Sequence, residues 1–324
     1  MLSKGIKVTV IGTGNFGSTV AFILAMNGAC HDVMLMGRNY RVAKGKALDM
    51  SQAANAARQH TVVRATKGPE DMKGSKVVVI AAGAPRTPGM DRDDLLLKNA
   101  AIVKKYARRI KKYAPGSIVI VVSNPLDAMT YVALKETGFP RERVLGMAGI
   151  LDSARMAHFI YDKLEYGAGQ IRATVMGGHG DTMVPLPKFT TVAGVPIGDL
   201  LAPDEIDEIV KKTRNGGAQI VDLLGDGSAY YAPAKSTAIM VESILRDTNQ
   251  IHSCAVMLDG EYGGYKDIVG GVPVMIGNGG AEKVIEMTLK PHQEESFARS
   301  IQSVQNMVDK LYKVGFFDEK KENE

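Results

Sequence analysis

The chain has 324 residues, 45% apolar and 23% charged, with a formal net charge of +5; that length favours two lobes or one large α/β unit. No apolar run reaches the roughly 18 residues of a membrane span, and Met1-Leu2-Ser3-Lys4-Gly5 leads into a strand with no secretory signal. Two distant cysteines, Cys30 and Cys254, supply neither a disulfide framework nor a zinc pattern, so the expectation is a cytoplasmic protein without metal or membrane attachment.

The first half alternates apolar runs with helical patterns, which predicts βαβ units and a parallel sheet. Strands are expected over 6–11, 33–36, 61–65, 77–82 and 118–122, with a sixth over 144–147, and helices over 15–28, 42–57, 93–113 and 127–137. The first strand runs into Gly12-Thr13-Gly14-Asn15-Phe16-Gly17 at the start of a helix. That context gives the Gly-x-Gly-x-x-Gly spacing a physical meaning. Gly12 permits the tight turn, Gly14 lets the backbone approach a pyrophosphate, and Gly17 lets the helix pack close to the sheet. The helix amino terminus offers free N–H groups to phosphates.

The end of the second strand selects the dinucleotide. An Asp or Glu there accepts hydrogen bonds from the ribose hydroxyls of NAD. This chain has Met36-Gly37-Arg38-Asn39-Tyr40-Arg41 instead. Gly37 removes the carboxylate that would repel a 2′-phosphate, and Arg38, with Asn39 and Arg41 nearby, offers donors to one. NADP(H), preferred or used alongside NAD(H), is therefore the expected cofactor; the competing reading is a basic turn with the ribose held by backbone groups.

The fourth strand ends in a long loop, Ala82 to Arg92, with Pro85, Pro88 and Gly89 as stiff segments and hinge. A loop at that end of a parallel sheet suits a lid carrying Arg86 and Arg92 over a bound dianion. On the helix that follows, Leu95, Asn99, Ile102, Tyr106, Ile110 and Tyr113 share the expected buried face. Lys104, Lys105, Arg108, Arg109, Lys111 and Lys112 are then its solvated side. Without interleaved stacking aromatics they do not predict nucleic-acid binding. The fifth strand ends in Ser123-Asn124-Pro125-Leu126-Asp127 and sets an amide at the crevice.

Past residue 148 the rhythm changes to helices over 151–165, 203–213, 232–246 and 292–313, with strands over 173–176, 252–258, 272–276 and 284–288. The expected fold is a doubly wound parallel sheet (Rossmann) over 1–147 with a second α+β substrate domain over 148–324. Leu151-Asp152-Ser153-Ala154-Arg155 opens the first of these helices, so Asp152 and Arg155 share one face. His179 sits on a glycine-flanked turn after the strand at 173–176. Asp152 would hold the imidazole in one tautomer and raise its proton affinity, making it a general acid/base. Asp181 reads as a turn residue, and the 17 methionines, Met240 among them, read as core filler.

These motifs together resemble the lactate/malate dehydrogenase family, in particular its lactate-dehydrogenase-like malate dehydrogenases. The resemblance rests on Gly12–Gly17, Gly45–Asp49, Ala82–Arg86 through Arg92, Asn124–Thr130, Leu151–Arg155, Gly177–Asp181 and Gly227–Pro233. It departs from the family at Gly37-Arg38. It implies that His179 donates a proton to a keto oxygen as hydride reaches the same carbon, with Asp152 orienting the ring. Arg155 would hold the substrate C1 carboxylate, Arg92 would polarise the carbonyl and Asn124 would help place it. Arg86 falls where the family tells its substrates apart, and an arginine there pairs with the second carboxylate of a dicarboxylate such as oxaloacetate or malate. The cofactor-facing set is Gly12, Gly14, Asn15, Phe16, Gly17, Gly37, Arg38, Asn39, Asn99, Val122 and Asn124. The resemblance also implies a homo-oligomer, a tetramer before a dimer. A lactate or other 2-hydroxyacid dehydrogenase is the nearest alternative, and a non-catalytic dinucleotide-binding redox sensor the distant one.

Overall fold

The computed structural model describes residues 5–84, 92–225 and 227–317. Its first lobe alternates β1 (Lys7–Ile11), α1 (Asn15–Met26), β2 (Asp32–Met36), α2 (Tyr40–Ala56), β3 (Val62–Ala65), β4 (Ser75–Ile80), α3 (Arg92–Tyr113), β5 (Ile118–Val121), α4 (Leu126–Thr137) and β6 (Val144–Gly146). All five pairings among these strands are parallel. Their order, β3-β2-β1-β4-β5-β6, is the doubly wound arrangement with its switch point between β1 and β4. The strands are nearly continuous apolar runs because helices cover both faces. Val8, Val10, Val77, Val79, Ile118 and Ile120 face one apolar layer with Val20 and Leu24 of α1. Ile11, Val78, Ile80, Val119 and Val121 face the other, against Leu96, Val103 and Ile110 of α3 and Met129 of α4.

The second lobe begins with α5 (Gly149–Leu164). Short strands follow: β7 (Ile171–Arg172), β8 (Val175–Met176), β9 (Val184–Pro185), β10 (Thr191–Val192) and β11 (Val195–Pro196). Then come α6 (Pro203–Leu224), α7 (Tyr231–Leu245), β12 (Gln250–Asp259), a single turn α8 (Glu261–Gly264), β13 (Lys266–Gly277), β14 (Gly280–Val284) and α9 (Pro291–Lys313). β12, β13 and β14 are antiparallel, and β12 meets β6 through the Ala255–Gly146 pair. The parallel sheet thus continues into the second lobe as one nine-stranded sheet. Met240 is fully buried in this core, as expected of filler. No helix among the described residues is long and apolar enough to cross a membrane.

Several elements differ from the sequence reading, among them β13, which spans Lys266–Gly277 where 272–276 was expected. β14 closes a tight hairpin with β13 at Gly277–Gly280, so the third strand lies over 280–284 and not 284–288. α6 runs to Leu224, straight through Gly216-Gly217, where an end at 213 was expected. On α3 the buried face is Leu96, Asn99, Ala100, Val103, Ala107 and Ile110. Its small residues let the helix lie close to the sheet, and Ile102 and Tyr106 rotate to its flank.

Candidate active site

The proton-transfer cluster assembles from α5 and the loop after β8. Asp152, 1% exposed, lies in the first turn of α5. Its Oδ2 lies 2.9 Å from His179 Nδ1, and its Oδ1 accepts from Arg155 Nη1 at 3.2 Å. The i, i+3 spacing thus does what the sequence suggested, setting guanidinium and imidazole on the two oxygens of one carboxylate. Asp181 stands exposed in the turn, and Asp152 is the carboxylate that meets the ring. Burial favours the neutral form of His179, but the charge of Asp152 and its hydrogen bond outweigh this, so the ring's pKa is raised. With Nδ1–H directed at Asp152, Nε2 carries the exchangeable proton.

Two features supporting this cluster were not foreseen. Asp127, in the first turn of α4 and 2% exposed, accepts the backbone N–H of His179 on Oδ2 at 2.8 Å. Its Oδ1 is buried with no hydrogen-bond partner. Burial raises its pKa to about 6, with a smaller upward push from the Asp152 charge, against the lowering effect of the His179 N–H bond and ring. Gly178 N–H donates to Ser300 Oγ of α9 at 2.7 Å, so the histidine loop is tied to both α4 and α9. The second feature is Gly216-Gly217. A β-carbon at Gly216 would touch Phe159 and Arg155 Cδ at 3.5 and 3.6 Å, and one at Gly217 would touch the Arg155 nitrogens at 3.4 and 3.5 Å. The glycine pair, costly inside a helix, leaves a groove along α6 in which the Arg155 side chain lies. Arg155 Nε is buried there with no protein partner.

The dinucleotide crevice forms at the carboxyl ends of β1, β2, β4 and β5. Gly12 has φ +116°, and a β-carbon there would strike the Ala81 backbone at 2.8 Å. Beyond Gly14 lies open space, and no side chain caps α1, so the N–H groups around Asn15 and Phe16 remain for an anion. A β-carbon at Gly17 would collide with the Gly12 carbonyl, so helix and turn meet there. These observations fit a pyrophosphate cradle. Gly37 does more than lack a carboxylate: a β-carbon there would run into Thr13 Oγ1 and lie 2.8 Å from Thr13 Cγ2.

Arg38 is exposed at the rim of the crevice. Asn39 is largely committed elsewhere, because its Oδ1 caps α2 by accepting from Arg41 and Val42 N–H at 3.0 and 3.3 Å. Asn99 is tied to the backbone of two loops at the crevice. It is 2% exposed and receives Ala84 N–H at 2.7 Å, while its amide donates to Ala84 and Asn124 carbonyls at 3.3 and 2.7 Å. With its donors spent on backbone, it clamps the β4 loop to the β5 loop and shapes the crevice. Val122 is half-buried just past β5, and Asn124, joined to Pro125 by a cis peptide, is exposed beyond it. Arg86 lies outside the described residues, and Arg92 is the first residue of α3. Among the described residues no group of His, Cys, Asp and Glu side chains is arranged to hold a metal.

Comparison with known proteins agrees with this geometry. The profile described as lactate/malate dehydrogenase, NAD binding domain, matches residues 6–146, and that for the family's alpha/beta C-terminal domain matches 150–314. A malate dehydrogenase of Sulfurimonas denitrificans is 60% identical over 317 residues, covering 98% of this chain and 99% of that protein. The apo malate dehydrogenase structure from Picrophilus torridus has a TM-score of 0.93 at 39% identity, covering 97% of this chain and 99% of that one. A Cryptosporidium parvum lactate dehydrogenase, solved with lactic acid and nicotinamide adenine dinucleotide, reaches 0.91 at 36% identity over 96% and 99% of the two chains. The fold is thus common to malate and lactate dehydrogenases, and the substrate has to be argued from side chains. With both profiles matched in order along nearly its whole length, the chain belongs to the lactate/malate dehydrogenase family.

Proposed function

We propose that the chain is a malate dehydrogenase that interconverts oxaloacetate and malate and prefers NADP(H) to NAD(H). The observation that carries the reading is the buried Asp152 carboxylate shared between His179 Nδ1 at 2.9 Å and Arg155 Nη1 at 3.2 Å. A bound nicotinamide dinucleotide supplies or accepts the hydride. Gly12, Gly14 and the first N–H groups of α1 would hold its pyrophosphate, and Arg38 would supply donors to a 2′-phosphate.

In the reducing direction Arg155 grips the C1 carboxylate with donors not used by Asp152. His179 starts as the imidazolium, which Asp152 stabilises. It gives the Nε2 proton to the keto oxygen and ends as the neutral ring with Nδ1–H still toward Asp152. Arg92, the first residue of α3 and assigned its role from sequence, would offset the negative charge that grows on that oxygen. Arg86, assigned from sequence, pairs with the second carboxylate and disfavours a pyruvate methyl, which would leave its charge unmatched. The reverse reaction returns the hydroxyl proton to Nε2 of the neutral ring.

Steady-state rates with oxaloacetate and pyruvate, each with NADPH and NADH, test both parts. The reading requires oxaloacetate with NADPH to give the highest kcat/KM. A chain that favoured pyruvate would be a lactate dehydrogenase, and one that favoured NADH would lose the cofactor assignment.

A further inference from the structure

Asp152 is not the only carboxylate at the catalytic ring. Asp127, in the first turn of α4, accepts the backbone N–H of His179 on Oδ2 at 2.8 Å, and Ser300 of α9 accepts the adjacent Gly178 N–H at 2.7 Å. The fit is close: a β-carbon at Gly178 would lie 3.3 Å from Asp127 Oδ2 and 3.4 Å from Ser300 Oγ. Successive amides of one loop are thus gripped from two helices. One grip uses a hydroxyl and the other an acid. Asp127 is 2% exposed, and its Oδ1 is buried with no hydrogen-bond partner. A side-chain amide or hydroxyl would accept the same N–H without placing a charge in the interior. Anchoring the loop therefore accounts for one oxygen of Asp127 and leaves the charge and the second oxygen unexplained.

The charged groups around the ring come from two helices. α5 contributes Asp152 and Arg155, α4 contributes Asp127, and α9 packs on the loop with the uncharged Ser300 and Val304. Asp181, on the histidine's own turn, is exposed. Burial favours the neutral ring; the Asp152 charge and hydrogen bond overcome it, the Asp127 charge adds to them, and the Arg155 charge opposes them. We propose that Asp127 is a positioning residue for proton transfer, in which one carboxylate oxygen fixes the histidine backbone and the buried charge supports the imidazolium. With Asp127 ionised, two carboxylates balance the imidazolium and the guanidinium of Arg155. With Asp127 protonated, the same imidazolium leaves an uncompensated positive charge in a buried cluster, and the ring gives up its proton more readily. Burial raises the pKa of Asp127 to about 6, so this change of state falls where a histidine also titrates. The two groups then titrate as a coupled pair. The proposal rests on His179 as the acid and base of the reaction and deepens that reading.

The test reads the ring itself, by NMR titration of protein carrying isotope-labelled histidine, with the His179 signal identified by its loss in His179→Asn. In the wild type the His179 curve should be broader than that of a single site, because Asp127 takes up its proton over an overlapping range. Asp127→Asn keeps an acceptor for the His179 N–H and removes the charge. Its ring should titrate as a single site with proton affinity lowered by about three- to tenfold. The pH limbs of kcat/KM should move down by the same factor. Ser300→Ala loosens the same loop without altering any charge, and it should change the proton affinity by less than about twofold, even where it lowers kcat. A single-site curve in the wild type, or an unchanged affinity in Asp127→Asn, overturns the proposal. Equal shifts in Asp127→Asn and Ser300→Ala overturn it as well, because loop placement and not charge would then set the ring. Wild-type rates in His179→Asn would instead sink the acid–base reading, and the proposal with it.

Discussion

Replacing Asp127 with Asn should make the protein more stable at neutral pH while leaving the histidine loop in place. The folded carboxyl holds its proton up to about pH 6, whereas in the unfolded chain it releases it near the ordinary 3.8. Between those values the native state binds more protons, so wild-type stability falls as pH rises, and the loss is complete above about pH 6. At about 1.4 kcal/mol per pH unit the full cost is about 3 kcal/mol. Asparagine carries no charge at any of these pH values, and its carbonyl can still accept the His179 N–H now received at 2.8 Å. The stability of Asp127→Asn relative to wild type should therefore grow by about 2 kcal/mol between pH 4.5 and 7.5. Urea unfolding at both pH values measures this, at one protein concentration because association would otherwise shift the midpoints. Asp127→Ala is the counterpart. It strands a buried N–H and should lose about 1–3 kcal/mol relative to Asp127→Asn at either pH. A difference between wild type and Asp127→Asn that did not change with pH would refute the reasoning.

Gly37→Asp alone should weaken both dinucleotides and not simply convert the enzyme to NADH, because its side chain collides with Thr13. An overpacking cost of about 1–3 kcal/mol is expected. Adding Thr13→Ala should relieve it and move the kcat/KM ratio toward NADH, and Gly37→Asp binding NADH well without that second change would show the contact to be harmless. Arg86→Gln should lower the preference for oxaloacetate over pyruvate by about a hundredfold, the scale of losing one partner of an enclosed ion pair. An unchanged ratio would remove Arg86 from the substrate site.

What the sequence made legible was local. The β1 turn needs a glycine at φ +116°, and Asp152 and Arg155 meet through helical spacing; both constraints lie within a few residues. The apolar runs of β1, β4 and β5 announced a sheet covered on two faces. What stayed hidden depended on distant partners. Asp127 has its role only because the loop carrying His179, far along the chain, folds back onto α4. Gly216-Gly217 looks like a helix end until Arg155 of α5 is seen to need the space. Asn99 was expected only at the cofactor, and its hold on the Ala84 and Asn124 backbones was not legible.

The most direct test of the His179–Asp152 assignment is the pH dependence of kcat/KM in both directions, for wild type and Asp152→Asn. Reduction of oxaloacetate uses the imidazolium, so its rate should fall as pH rises through the raised pKa of His179. Oxidation of malate uses the neutral ring and should fall as pH drops through the same value. Asp152→Asn should slow both directions by about one to two orders of magnitude, as for loss of a charged hydrogen bond, and move both limbs to lower pH. Limbs of the same sign in the two directions, or limbs that stay in place without Asp152, would contradict the account.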